Sequence, residues 1–497
     1  MNIREILEKT ASQVPQKTAI VLGSQRVSYG ELDAASNRVA NALMNLGLRK
    51  GEHVAILVSY NPDWLISYFG IVKAGGKTVI LNSMLKAHDY DSLLRDSDSK
   101  ILLTEKNFVE MLSSVLPTIP LLERTIEVDS DSYKEMLAGS SATSPALEIE
   151  YEDETALIYT SGVLGKQKGV VHTHRSLMTG AELVGLGLEQ TSEDVSVGMI
   201  PFFYALGLLV VALISVMKGS TMVLVPRFTT KGVLETVEQE RATILVGVPA
   251  MFNALAMLDE KALKGYDLSS LRVALTAGAK APAHLMRDLE RKFALTLTEV
   301  YGTTEALATT FGDIHNRKLG TAGKPIEDVK IMDENGKELP RGEIGEILCR
   351  SPQVMNGYYK APELTSQVLK DSWFYSGDLA RMDEDSYIEY IEKKSFIIVT
   401  SAGVKIPPTE VEEVLLKHPS VAEAAFVGVN DELEGQIPTL FVVPKEGQTI
   451  TRQEIRSFCS QSLADFKMPR KIEFLDSIPK TGSGKMDRKR LKETRTT

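Results

Sequence analysis

Cysteine is nearly absent from this chain: Cys349 and Cys459 are the two in 497 residues. They stand far apart and match neither a disulfide framework nor a metal-ligand spacing, so a reducing cytoplasm fits. Long apolar runs are missing too. The longest, residues 205–217 (ALGLLVVALISVM), is too short to span a bilayer and lacks flanking anchors, which leaves a buried helix. The N-terminal MNIREILEKTASQ has no signal-peptide apolar region and reads as an amphipathic helix. Positive charge is not in excess. The 56 Lys and Arg against 66 Asp and Glu leave a net charge of −10, which argues against a nucleic-acid partner and reads as a solubilising surface. No internal repeat or low-complexity segment is visible.

What is present is ordinary globular composition, 43% apolar and 25% charged, at a length that suggests more than one domain. The stretch that organises the rest is residues 157–173, LIYTSGVLGKQKGVVHT. An apolar run ends at Tyr159. Thr160, Ser161, Gly162, Gly165, Lys166, Lys168 and Gly169 then read as a short loop before Val170 and Val171 resume the apolar pattern. Glycines let backbone N–H groups approach an anion, hydroxyls donate hydrogen bonds and lysines bring charge. The loop lacks the GxxxxGK[ST] spacing of a Walker motif, and alone it would also suit a plain polar turn.

The flanking chain supplies the context. Ser28 followed by Glu31 predicts a capped helix over 28–49, and a strand follows at 54–58. A helix over 62–73, a stop at Ala74–Gly75–Gly76 and a strand at 78–81 complete a βαβ unit, with another strand at 100–103. Beyond the loop the pattern predicts strands at 220–225, 242–247, 272–276 and 297–300, and helices over 231–240 and 285–293. Residues 277–279 and 301–305 (YGTTE) then sit at strand carboxyl ends, where open α/β sheets bind ligands. From about residue 330 the pattern turns all-β, with strands at 330–332, 345–349 and 387–391. Beyond about Phe396 a smaller unit reads helix 409–416, strands 421–427 and 440–443, helix 451–462 and strand 471–474. It closes on PKTGSGKMDRKRL, in which Lys485 follows Gly482–Ser483–Gly484.

In this order these pieces resemble the adenylate-forming enzymes: acyl-CoA synthetases, adenylation domains and luciferases. YTSGVLGKQKGV is similar to the family's YTSGTTGxPKGV, YGTTE to YGxTE, and WFYSGD to W-x-TGD. GEIGEILCRSPQVMNGYY resembles the GELxxxG…MxGY region, and the SGK ending at Lys485 the final lysine motif. The resemblance runs from about residue 25 to 491. It implies an α/β multi-subdomain fold: a large N-terminal domain, residues 1–395, of two α/β sheet subdomains plus a β subdomain, and a small mobile α+β C-terminal domain, residues 396–497. The implied chemistry joins a carboxylate to the α-phosphate of ATP and releases pyrophosphate. A thiol, usually of coenzyme A, then takes the acyl group and frees AMP. The first half joins two anions, so charge must be neutralised by Mg²⁺, lysine and N–H groups.

The resemblance implies roles residue by residue. Lys485, Glu305 and Thr160 are the catalytic candidates, with Glu305 holding Mg²⁺, a hard cation that prefers oxygen ligands. Thr160, Ser161, Gly162, Gly165 and Lys168 are expected on the β- and γ-phosphates, and Thr304 near the α-phosphate. Tyr301 and Gly278 are expected to flank adenine, with Gly302 and Thr303 in the same nucleotide-binding stretch. Asp378 has the chemistry to accept from both ribose hydroxyls, and Lys393 brings charge to the ribose. IPFFYALGLL resembles the P-x-FHxxGL stretch of acyl- and aryl-CoA synthetases, and no carboxylate lies between Met199 and Lys218. The acid is therefore expected to lack an α-ammonium and to lie in a largely apolar pocket lined by Phe202, Tyr204, Val248 and Ala277.

The chain departs from the family pattern at four places. Val163 and Leu164 replace two residues that are often threonine, and Gln167 replaces a usual proline. Tyr204 stands where many relatives carry histidine. At the hinge, with a one-residue shift, Lys393 aligns with an arginine and Phe396 with the polar pivot; lysine lacks arginine's planar fork. These changes keep open a catalytically impaired nucleotide-binding relative, beside an adenylating enzyme that passes its acyl group to a carrier protein. His172 and His174, two apart on a strand, read poorly as a metal pair. The expected partners are a fatty or aryl acid, ATP and CoA, with no nucleic acid and no transmembrane segment; the acid itself and homo-oligomer formation stay open.

Overall fold

The structure is a computed structural model that describes residues 1–160, 167–399, 405–431, 435–463, 465–481 and 485–493. The chain resolves into two compact units. One gathers residues 1–329, 348–375 and 385–388; the other gathers 330–347, 376–384 and 389–497.

The first unit is built on two mixed sheets. Among the described residues, one has seven strands in the order Gly357–Tyr358, Lys168–Thr173, Glu154–Thr160, Lys77–Ile80, His53–Leu57, Ile101–Thr104 and Arg124–Glu127. Its inner strands are fully buried and parallel, so they read as continuous apolar runs rather than alternations. The other sheet has nine strands. Its centre is the parallel set Thr296–Thr303, Val273–Ala277, Ile244–Gly247, Val195–Gly198 and Thr221–Leu224.

Local chemistry sets the helix ends. Ser28 accepts from Glu31 N–H while the Glu31 carboxylate accepts from Ser28 N–H at 2.8 Å, and the helix runs Tyr29–Asn45, ending four residues before the expected bound. Asn61 caps Pro62–Lys73, which has Pro at its first position. These two helices share a buried cation: Lys73 Nζ donates to Asp33 Oδ1 at 2.5 Å and to Asn37 Oδ1 at 2.7 Å. Burial lowers the Lys73 ammonium, and Asp33 opposes the shift.

The long apolar run is buried, as expected. After an α-helical start at residues 205–206, however, it winds as a π-helix over Gly207–Leu213 and returns to an α-helix at Ile214–Lys218. A Cβ on Gly207 would lie 2.2 Å from the Pro201 carbonyl, so the chain doubles back too tightly for a side chain there. Apolar periodicity cannot separate the two windings, and π-turns gather at functional sites. Around this run Phe202 packs on Tyr60 and Trp64, with ring centroids 4.6 and 5.2 Å away. No helix among the described residues is long and apolar enough to cross a membrane.

The region from residue 328 is strand-rich as read, with Asp328–Met332, Ile344–Arg350 and Ile388–Lys393. It also holds Trp373–Met382, so WFYSGD lies in a strand that its alternation does not announce, and a short helix, Pro362–Val368. In the second unit, the strands Val421–Asp431, Gly435–Pro444 and Lys471–Phe474 form a sheet backed by the helices Pro408–Leu415 and Arg452–Ser460. Its core joins Ile398, Val411, Phe426, Leu440 and Ile455. The fold class is thus the expected one: mixed α/β sheets and a separate small α+β C-terminal domain.

Candidate active site

The strands on either side of the phosphate-loop stretch pair antiparallel. Glu154–Thr160 pairs with Lys168–Thr173, and Thr160 lies opposite Lys168. Those two residues therefore end strands instead of belonging to the loop, because the β-branched flanks extend the ladder to the tip. Ser161, Gly162 and Gly165, with Val163 and Leu164, fall outside the described residues. Across the edge of the hairpin Tyr358 pairs with Val170, and Tyr359 N donates to Gly169 O at 2.8 Å. The Lys168 ammonium lies 4.9 Å from the centroid of the Tyr358 ring, and the Tyr358 hydroxyl donates to Glu305 Oε1 at 2.8 Å. Three motifs distant in sequence thus meet on one phenol.

The YGTTE motif sits partly in a strand. Thr296–Thr303 carries Tyr301, Gly302 and Thr303, and then turns sharply into the antiparallel strand Leu307–Phe311. The turn needs a glycine: a Cβ on Gly302 would lie 1.6 Å from the Leu307 carbonyl oxygen. Thr303 Oγ1 accepts from Ala306 N at 3.2 Å, and the Glu305 carbonyl accepts from Met355 N at 2.7 Å. Thr304 is held from the hairpin, since His172 Nε2 meets its carbonyl at 2.7 Å. His172 is fully buried, and burial pushes its imidazole down to about 4. It is neutral at pH 7, donating through Nε2–H while Nδ1 faces Ser176 Oγ at 2.9 Å. His174 instead begins the next helix, and its Nδ1 accepts from Ile3 N at 3.3 Å.

Gly278 follows the strand Val273–Ala277 with φ +85°, a left-handed turn that favours glycine. Under this turn lies a carboxyl that no motif flagged. Glu299 is buried, accepts from Ala281 N at 3.1 Å, and burial pushes it up to about 8, so it is protonated at pH 7. The pocket candidates are spread out. Phe202 is in the aromatic core, Tyr204 and Val248 are half-buried, and Ala277 is buried at its strand end. Tyr204 packs on Phe203 at a tilt, with ring centroids 4.4 Å apart.

The second unit gathers a different set. Asp378 is buried on its strand, and Lys393 Nζ lies 3.5 Å from its Oδ1. Glu346, from the GEIGEIL motif, accepts from Gly377 N at 3.0 Å and from Lys394 Nζ at 3.0 Å, so it fixes the neighbours of both Asp378 and Lys393. The Lys485 ammonium is lowered by the atoms crowding it and by the Lys393 charge, against the pull of Asp378. The repulsion from Lys393 is the firmer cause, because Lys485 keeps an exposed surface. Three residues on, Arg488 is buried. It donates to Glu412 at 2.5 and 2.8 Å, to Glu392 at 3.3 Å and to the Phe426 carbonyl at 3.0 Å. The half-buried Phe396 ring centroid lies 5.7 Å from the Arg488 guanidinium carbon. Gly482, Ser483 and Gly484 lie outside the described residues; around them Thr481 N donates to Lys485 O at 2.7 Å.

Sequence reasoning missed Tyr358, His172, Glu299, Glu346 and Arg488. Tyr358 and Glu346 lie inside a motif that was read as family pattern without roles. A histidine two places from another invites a metal reading, which hides a hydrogen bond to a backbone carbonyl. The residues around Glu305 suit a hard cation. Among the described residues its Oε2 has no hydrogen-bond partner, while Oε1 is taken by Tyr358.

A buried α/β frame brings a lysine, a carboxylate and a Gly–Thr–Thr turn together. Residues 7–359 match the AMP-binding enzyme family and residues 410–485 the AMP-binding enzyme C-terminal domain. The chain belongs to this family, the adenylate-forming superfamily, and groups within it with the AMP-forming acyl-CoA synthetases. It is 35% identical over 484 residues to a feruloyl-CoA synthase of Amycolatopsis sp, covering 96% of each chain. It is 30% identical over 533 residues to a long-chain-fatty-acid–CoA ligase of Bacillus subtilis, covering 99% of this chain and 94% of that one. The solved anthranilate CoA ligase AuaEII in complex with anthranoyl-AMP is similar with a TM-score of 0.92 at 29% identity, over 99% of this chain and 96% of that one.

Proposed function

We propose that this chain activates a fatty or aryl carboxylic acid with ATP to an acyl-adenylate and passes the acyl group to coenzyme A, releasing pyrophosphate and AMP. The observation that carries this reading is the convergence of Lys168, Tyr358, Glu305 and the Thr304 turn. Lys168, Thr160 and the loop residues Ser161, Gly162 and Gly165 hold the β- and γ-phosphates. Thr304 lies at the α-phosphate, and Gly278, Tyr301, Gly302 and Thr303 form the adenine side. Glu305 holds Mg²⁺, which when bound offsets phosphate charge. Asp378 accepts from the ribose hydroxyls, and Lys393 assists it.

Lys485 neutralises charge between the carboxylate and the α-phosphate during adenylation. Residues 396–497 form the mobile domain that carries it, with Phe396 at the hinge. The acid lies against Phe202, Tyr204, Val248 and Ala277, an apolar and aromatic set with no carboxylate to hold an ammonium. A cytoplasmic setting suits Cys349 and Cys459, which are free and buried. The test is mass-spectrometric detection of acyl-CoA and AMP across a panel of fatty and aryl acids. Formation of both with one class of acid supports the reading; consumption of ATP with no thioester for any acid contradicts it.

A further inference from the structure

The phenol of Tyr358 lies between two residues of the proposed ATP site, and neither motif assigns it a task. Its backbone is fixed on several sides. It pairs with Val170 on the hairpin strand, and its N–H donates to Thr365 Oγ1 at 2.9 Å. Asn356 N donates to Val171 O at 2.8 Å, and Tyr359 N to Gly169 O at 2.8 Å, so the register on either side is closed. Val170 and Lys168 are two apart on one strand and face the same way, which brings the Lys168 ammonium over the Tyr358 ring. The Tyr358 hydroxyl donates to Glu305 Oε1 at 2.8 Å. Met355 N, three residues earlier, grips the Glu305 carbonyl at 2.7 Å. The carboxylate is thus tied to one short segment by both its main chain and its side chain.

We propose that Tyr358 is a positioning residue for the metal carboxylate. Its hydroxyl occupies Oε1 of Glu305, fixes the side-chain rotamer and leaves Oε2 to the divalent cation. This rests on the assignment of Glu305 to Mg²⁺. Groups that orient a metal ligand are commonly worth about 10–100-fold in metal affinity.

The test is ATP binding by calorimetry, without any acid, in Mg²⁺ and again in EDTA. The ratio of the two dissociation constants reads the metal contribution apart from turnover. Tyr358→Phe keeps the ring and every backbone contact, and should lower that ratio about tenfold while ATP binding in EDTA stays within about twofold. Glu305→Gln should remove the ratio. If Glu305→Gln removes it and Tyr358→Phe leaves it intact, the positioning role is overturned and the Glu305 assignment stands. If Glu305→Gln itself leaves the ratio intact, the cation is held elsewhere and both assignments fall.

Discussion

The two groups of candidate residues, one in each unit, are built on opposite principles. Around Glu305, strands and a tight turn fix the functional groups through neutral hydrogen bonds: a phenol donating to the carboxylate, an uncharged imidazole donating to the Thr304 carbonyl and a protonated Glu299 accepting from Ala281 N. Around Lys485 the fixing is ionic. Arg488 is clamped by Glu412 and Glu392, Lys393 leans on Asp378, and Lys394 on Glu346. Neutral hydrogen bonds aim a group without adding charge, which suits a site that receives a polyanion with its cation. On the role proposed above for Lys485, the opposing charges of Lys393 and Asp378 beside it suit a group needed for one half-reaction only. The difference teaches where rigidity and where changeable charge are placed in a two-step enzyme.

Substitutions can break this contrast, and the largest expected effect is on the ionic side. Arg488→Met strands two buried carboxylates and should destabilise the second unit by about 3–5 kcal/mol, read as a separate early unfolding transition. An unchanged melt would show the clamp to be idle. Lys485→Ala should slow adenylation by about 10²–10³-fold, the loss of one charge-stabilising donor. It should spare thiolation from pre-made adenylate; equal loss in both half-reactions would remove its assigned role.

The neutral side should respond to pH in two directions. Glu299 is raised from its ordinary value to about 8, so the folded state holds a proton that the unfolded chain has lost. Its contribution is full below about pH 4.5 and falls with rising pH up to about 8, by about 1.4 kcal/mol per unit. His172 is lowered to about 4, so its contribution is present above about 6.5 and falls as pH drops toward 4, with a similar slope. Stability measured against pH should therefore flatten above pH 4.5 in Glu299→Gln. It should lose part of its acid limb in His172→Gln, where an amide can still donate to Thr304. Unaltered slopes in both variants would contradict the neutral reading. The smallest expected effect is at Phe396. Phe396→Asp exchanges a ring against Arg488 for a carboxylate and should shift the ratio of the two half-reaction rates by about two- to tenfold. If neither rate moves, the hinge role fails.

Much of this was legible before any coordinates. Pro62–Lys73 and Lys471–Phe474 match their expected bounds because caps, proline and turn residues mark them. Other bounds moved by one to five residues, as with the helix that ends at Asn45 and the strand that starts at Gly435. The π-winding at Gly207 was hidden because an apolar run looks alike in either helix. The strand carrying Asp378 was hidden because WFYSGD lacks a clean alternation. Motif residues Glu305, Lys168 and Asp378 are singled out by their resemblance to the family's motifs. Their holders are not. Tyr358, His172 and Glu346 act through contacts set by strand register and chain packing, which spacing does not encode.

The most direct measurement is carboxylate-dependent exchange of pyrophosphate into ATP, without CoA, over aliphatic and aryl acids. The account predicts exchange with one class of acid, lost in Glu305→Gln and strongly reduced in Lys485→Ala. No exchange with any acid, from a folded protein that binds ATP, would contradict adenylation as the activity of this site.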